Sequence, residues 1–335
     1  MTLSFRPPDD LLEMARILSP EPVTAVSELH KGNNSRVFRV DTAKGCYALK
    51  KYPAPDDRDR LRAEANALRF FERQGVQRTP RLVAVAPELR LALLSWIEGT
   101  PIDVVADADV AEFAEFQIAL NRATDAKARV EIGEASDACL SGLRIVSQIE
   151  RRYAMLETVR YDFADFSSFF GDVLVPALHE FQARARDAYR RLGLEFAQEI
   201  AAEHRILIPS DLGAHNALRR EDGKLYFLDF EYFGWDDPLT SVANFVMHPA
   251  MRLTAHQKGE YEGRLLRHFP GHYASERLEA LMPLYALRWC AIILGELLPQ
   301  RWQHRMENNA NIGSWDEVRR EQIDKARTVI SRFLH

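Results

Sequence analysis

Whole classes of protein are excluded by what this 335-residue chain lacks. Its three cysteines, Cys46, Cys139 and Cys290, are odd in number, far apart and in no metal-binding spacing. That excludes a disulfide framework and fits small core residues in a reducing compartment. There is no basic excess: 44 Lys and Arg stand against 49 Asp and Glu, a net charge of −5. A surface for nucleic acid needs a positive field to neutralise phosphates, so none is expected. Long apolar runs are missing too. The longest, 289–295, falls far short of the roughly 20 residues that span a bilayer. Bracketed by Arg288 and Glu296, it reads as a buried helix. Residues 1–10 carry no apolar stretch long enough for a signal peptide, and no internal repeat or low-complexity segment is evident. The expectation is a soluble, cytoplasmic protein with neither a nucleic-acid nor a membrane partner; its oligomeric state stays open.

What is present is enough apolar material, 47% of residues, for one large core or two smaller ones. Residues 23–29, 35–41 and 45–52 alternate or run apolar as strands do. Residues 58–73 read as a helix, with Leu61, Ala65, Leu68 and Phe71 at helical spacing and Gly75 beyond the end. Two further strands, 81–86 and 90–96, are separated by Pro87. This predicts a compact α+β unit ending near residue 100. The remainder, 101–335, is expected to be mainly helical, over 106–126, 138–156, 173–203, 238–248, 274–298 and 315–334, with a loop at 127–136. One non-helical island, 205–236, interrupts the helices.

That island holds the most informative chemistry. Asp211 is followed five residues later by Asn216, and thirteen residues after that by Asp229 at the end of Leu225-Tyr-Phe-Leu228. An acid, an amide and a second acid on an apolar strand are how kinase-type phosphotransferases build an ATP–magnesium site. In that scheme Asp211 accepts the proton of the attacking hydroxyl, while Asn216 and Asp229 hold Mg2+. Taken alone, Asp211 is an ordinary turn acid. Asp229 is costlier, because an aspartate in so apolar a setting needs a cation or hydrogen bonds to offset its burial.

Lys50 ends an alternating strand, where a rigid positive charge can hold phosphates. A solvated strand-end lysine is the plainer reading. Glu64, on the following helix, could pair with it or lie on a solvated face. Strand register decides between Lys50 and Lys51, and Lys50 is the expectation because the unit then reads Tyr-Ala-Leu-Lys. Gly32, Asn33, Asn34 and Ser35 lie at the turn where a phosphate-covering loop would sit. Free backbone N–H groups can approach phosphate there only where side chains are small, and an ordinary hairpin turn is the default.

Together these segments resemble the aminoglycoside phosphotransferase and choline kinase superfamily of small-molecule kinases, over about residues 23–245. The likeness rests on 32–40, Tyr47-Ala-Leu-Lys50, Glu64, Ser95-Trp-Ile-Glu-Gly99, Asp211 with Asn216, and Leu228 through Pro238. It implies a bilobal protein-kinase-like fold with ATP between the lobes and the adenine on backbone atoms of Ser95, Trp96 and Ile97. It also implies Asp211 as base, Asn216 and Asp229 as magnesium ligands, and Lys50 with Glu64 as phosphate clamp. The chain departs from the family pattern at Pro209-Ser210, where His-Gly usually precedes the Asp. It departs again at Gly213, where a His usually follows, and at Asp236 and Ser241.

The leading expectation is an ATP-dependent kinase for a hydroxyl of a small metabolite. A sugar or sugar derivative comes first, then an amino alcohol such as choline, or an aminoglycoside. Glu231, Asp236 and Asp237 could receive an amine or could cap the loop. Tyr232, Phe233 and Trp235 read as core packing, with a cation–π platform as the alternative. The competing readings are a nucleotide-binding pseudokinase acting as a scaffold and, more weakly, a protein kinase.

Overall fold

The computed structural model describes residues 11–31, 35–53, 58–269, 271, 273–308 and 314–334. Gly32, Asn33 and Asn34 therefore lie outside the described residues. The strands are β1 (Val23–Lys31), β2 (Arg36–Thr42), β3 (Gly45–Lys51), β4 (Leu82–Ala86) and β5 (Leu91–Ser95). They form one antiparallel sheet in the order β1-β2-β3-β5-β4. Helix α1 (Leu11–Leu18) covers one face, packing Met14, Ala15 and Leu18 on Val40, Leu49, Leu91 and Leu93. Helix α2 (Arg60–Gln74) joins the other face, with Ala92, Leu94, Leu68 and Phe71 in one core. Side chains alternate along a strand. With Leu49 toward α1, Lys50 turns toward α2.

Beyond β5 the chain enters a short strand, β6 (Thr100–Pro101), and then becomes helical. Helices α3 (Asp107–Arg122), α4 (Ala126–Glu131), α5 (Gly142–Glu157), α6 (Ala164–Ser168) and α7 (Val175–Arg191) come first. The non-helical island contributes β7 (Ile206–Ile208), β8 (Ala217–Arg219), β9 (Leu225–Phe227) and β10 (Gly234–Asp236). Here β10 pairs with β7, and β8 lies between β6 and β9. Then follow α8 (Pro238–Met247), α9 (Ala255–His268), α10 (Ala274–Leu294), α11 (Pro299–Asn308) and α12 (Trp315–Ser331).

Several expectations change. The helix expected over 106–126 ends at Arg122, and an unexpected helix, α4, starts at Ala126, where Asp125 caps it by accepting the Ala128 N–H at 2.7 Å. The expected loop at 127–136 accordingly begins inside α4. The helix expected over 173–203 stops at Arg191, ahead of a turn at Gly193 with φ 71°. Helices α1, α6, α9 and α11 were not anticipated. The apolar run 289–295 falls within α10 and its continuation, packed among α5, α7 and α12. The stretch 274–297 is long and apolar enough to cross a membrane, yet 67% of its apolar window is buried inside the protein, as a core helix is.

Candidate active site

Three short strands deliver the polar groups. β7 leads into Pro209-Ser-Asp211, a 3-10 turn at Ala214–Asn216 leads into β8, and β9 leads into Asp229. The Leu228 N–H donates to the Asn216 carbonyl at 2.8 Å, tying the two turns together. Asp229 has φ 62°, a left-handed conformation that aspartate tolerates better than most residues.

Lys50 is buried, and its Nζ lies 2.7 Å from Glu64 Oε2, 2.8 Å from Asp229 Oδ1 and 3.4 Å from Glu231 Oε2. Glu64 also accepts the Tyr52 hydroxyl at 2.6 Å and the Phe230 N–H at 3.2 Å. Helix, sheet and the strand-end acid are thus joined at one ammonium. Burial works against that charge, but the carboxylates of Asp229 and Glu64, with Glu231, outweigh it and raise the Lys50 pKa. Burial pushes the Asp229 carboxyl up to about 7 against the pull of Lys50. Glu64, Asp229 and Glu231 bring oxygens within 4.8 Å of one another. An all-oxygen set with more acid than base suits a hard divalent cation. Asp229, at 34%, is the most exposed of the three.

Asp211 belongs to a second cluster, with Asn216, His215 and His248. Asn216 Nδ2 donates to Asp211 Oδ2 at 3.1 Å, so the amide oxygen is the Asn216 atom that could face a cation. His215 Nε2 meets Asp211 Oδ1 at 3.0 Å, and His248 Nε2 lies 3.7 Å from the same oxygen. Burial raises the Asp211 carboxyl, but the hydrogen bond from His215 and the other polar neighbours bring it below its ordinary value. It is therefore a carboxylate at neutral pH.

The remaining expected residues are distributed as follows. Ser35 is buried and donates its hydroxyl to Glu231 at 2.8 Å. Ser95 Oγ accepts from the Arg81 N–H at 2.9 Å, and Trp96 Nε1 donates to Glu98 at 2.7 Å. Ile97 lies half-buried in the segment between β5 and β6. The idea that Glu231, Asp236 or Asp237 receives an amine does not survive. Glu231 is buried on Ser35 and Lys50. Asp236 accepts from the Cys139 N–H, the Asp237 N–H and Thr240 Oγ1. Asp237 caps α8 and pairs with Arg277. Phe233 packs edge-on against Phe71 at 5.3 Å, and Trp235 lies under the chain's own Arg129. His215 and His248 were missed. His215 stands next to Asn216 and could have been weighed; nothing local connects His248 to Asp211.

The pattern of the phosphotransferase enzyme family matches residues 25–279. No curated protein matches the chain. Among solved structures, spectinomycin phosphotransferase in complex with ADP and spectinomycin is similar, with a TM-score of 0.63 at 10% identity over 95% of this chain and 97% of that one. A choline kinase from Streptococcus pneumoniae gives 0.57 at 15% identity, covering 96% and 97%. An ethanolamine kinase from Plasmodium vivax gives 0.56 at 13%, covering 96% and 85%. These likenesses show a shared bilobal, protein-kinase-like α+β fold. With more than three-quarters of its length inside the family pattern, the chain belongs to the phosphotransferase enzyme family.

Proposed function

We propose that the chain transfers the γ-phosphoryl group of ATP to a hydroxyl of a small metabolite. The observation that carries this reading is the pairing of two clusters by one main-chain bond. Asp211 with Asn216 forms one, Lys50 with Glu64 and Asp229 the other, and Leu228 bonded to Asn216 joins them. Asp211 acts as the base: the acceptor oxygen bonds to γ-phosphorus, the bond to the ADP oxygen breaks, and the hydroxyl proton passes to Asp211. Lys50, aimed by Glu64, holds the phosphates. Mg2+, through Asn216 and Asp229, would supply positive charge to the phosphates as their charge redistributes. The backbone of Ser95, Trp96 and Ile97 would meet the adenine.

A sugar or sugar derivative remains the first choice of acceptor, ahead of an amino alcohol or an aminoglycoside. In its support, Glu231, Asp236 and Asp237 are all committed to partners within the chain. The solved relatives named for spectinomycin, choline and ethanolamine support a small-molecule acceptor.

The test is a panel of small alcohols screened for magnesium-dependent ADP release. Asp211→Asn should bind ATP and magnesium nearly as the wild type does and turn over about 10²–10⁴-fold more slowly, the usual span for a general base. A wild type that binds ATP yet releases no ADP with any alcohol would point instead to a regulatory nucleotide-binding protein.

A further inference from the structure

We propose that His215, held by His248 and by the bare backbone of Gly213, is the residue that positions Asp211 for proton transfer. The proposal rests on the phosphotransfer reading above. Each carboxylate oxygen of Asp211 already meets a donor: Oδ2 takes Asn216 Nδ2 at 3.1 Å, and Oδ1 takes His215 Nε2 at 3.0 Å. Two donors on opposite oxygens stop the carboxylate from rotating about its own axis. One set of lone pairs is then left in a fixed direction for an incoming hydroxyl.

The His215 ring is itself held from both sides. It stacks on His248 with centroids 4.2 Å apart and planes within 10°. His248 in turn meets the buried Trp289 of α10 edge-on at 4.9 Å. On the near side, a Cβ at residue 213 would come within 2.6 Å of His215 Cε1, 2.8 Å of its Nδ1 and 3.0 Å of Met251 Sδ. Only glycine at 213 leaves the imidazole where it is. A rigid line therefore runs from the helical core through two stacked imidazoles to the base.

Hydrogen bonding fixes the tautomers. His248 Nδ1 accepts the Ala250 N–H at 3.2 Å, so in the neutral ring the proton is on Nε2. Since the Asp211 carboxylate only accepts, His215 Nε2 carries a proton as well. Asp211, His215 and His248 have the spacing of a three-ligand cation site. With a proton on each Nε2, neither ring offers a cation its lone pair there: His215 donates to the acid at 3.0 Å, and His248, at 3.7 Å, supports the His215 ring by stacking.

The test uses the full chain, with the best acceptor from the alcohol panel. His215→Ala should lower turnover by about 10- to 100-fold, as misorientation of a reacting group does, while the KM for ATP stays within about twofold. His215→Gln restores a donor near the position of Nε2 and should recover most of the loss. A purely structural role would not separate Gln from Ala in this way. In nitrogen-edited imidazole spectra at neutral pH, His248 should be the Nε2–H tautomer, and Asp211→Ala should move the His215 Nε2–H resonance. Near wild-type turnover in His215→Ala, Gln no better than Ala, or an Nδ1–H tautomer at His248 would each overturn the proposal. If the wild type turns over no alcohol, the phosphotransfer reading fails and this proposal with it. The spectra then still report whether the Asp211–His215 contact exists.

Discussion

Burial between the His215 ring and Trp289 lowers the His248 pKa from 6.5 to about 4, with the nearby His215 adding to the effect and Asp211 opposing it. The sign of the consequence follows from proton counting. Between those two values the unfolded chain binds a proton at His248 that the folded chain does not, so the group's contribution to stability falls as pH drops from about 6.5 toward 4. From pH 7 to pH 5 it should remove about 2 kcal/mol. Burial holds the Asp236 carboxyl up at about 7, which gives a slope of the opposite sign. The comparison should therefore be made between proteins. His248→Asn keeps an acceptor for the Ala250 N–H but does not titrate. Urea denaturation at both pH values should show a smaller acid loss in this variant than in the wild type, and identical losses would refute the assigned burial. At this scale the sequence was most informative where chemistry is packed into a short span. Asp211 and Asn216 are five residues apart, and they do touch. The contact between Asp211 and His248 spans 37 positions and depends on how α8 ends, which no local pattern encodes. Glu231 was legible as an acid but not as a buried partner of Ser35, because that contact closes the sheet onto the strand-end loop from 196 residues away.

Among elements, the pair β7 and β10 sets where Asp211 emerges, and Gly234 sets how closely a neighbouring segment can approach that pair. Gly234 pairs with Ile208, while Ala135 donates its N–H to the Trp235 carbonyl at 3.0 Å and Trp235 donates to Gly133 at 3.0 Å. A Cβ on Gly234 would sit 2.4 Å from Ala135 N and 2.5 Å from Glu134 C, both backbone atoms that cannot swing aside. Gly234→Ala should therefore cost about 1–3 kcal/mol or more, as overpacking does, and lower turnover as β7 shifts. Urea denaturation and ADP release measure the two effects, and an unchanged midpoint would mean that segment 133–135 moves freely. The five strands of the large sheet were legible to within two residues at each end, because alternation and turn glycines mark them strongly. Short helices were not. α4 has six residues and α6 five, too few to show a 3.6-residue period. α9 does carry a local start signal, the Thr254 and Gln257 capping box.

Across the whole molecule, Lys50 joins sheet, α2 and the loop after β9, so nucleotide binding there should be felt as global stability. A ligand that binds only the folded chain stabilises it by an amount set by its concentration over Kd, about 2.7 kcal/mol at a hundredfold excess. In a chain of this size that is a rise of several degrees in Tm. ATP with magnesium should produce it, and ATP with a chelator much less. Asp229→Asn separates the ligand effect from the fold. Asparagine accepts the left-handed φ of 62° nearly as well as aspartate, so backbone strain changes little. Removing the charge takes one ion pair from Lys50 but also one carboxylate from a crowded group of three, and Lys50 keeps Glu64 at 2.7 Å and Glu231 at 3.4 Å. The two changes oppose each other, so the ligand-free variant should melt close to the wild type. Its response to ATP with magnesium should be largely lost, because a neutral amide cannot replace the carboxylate as a ligand for a hard cation. Thermal melts of both proteins with and without the nucleotide decide the matter: an equal rise in Tm for variant and wild type would remove Asp229 from the metal site.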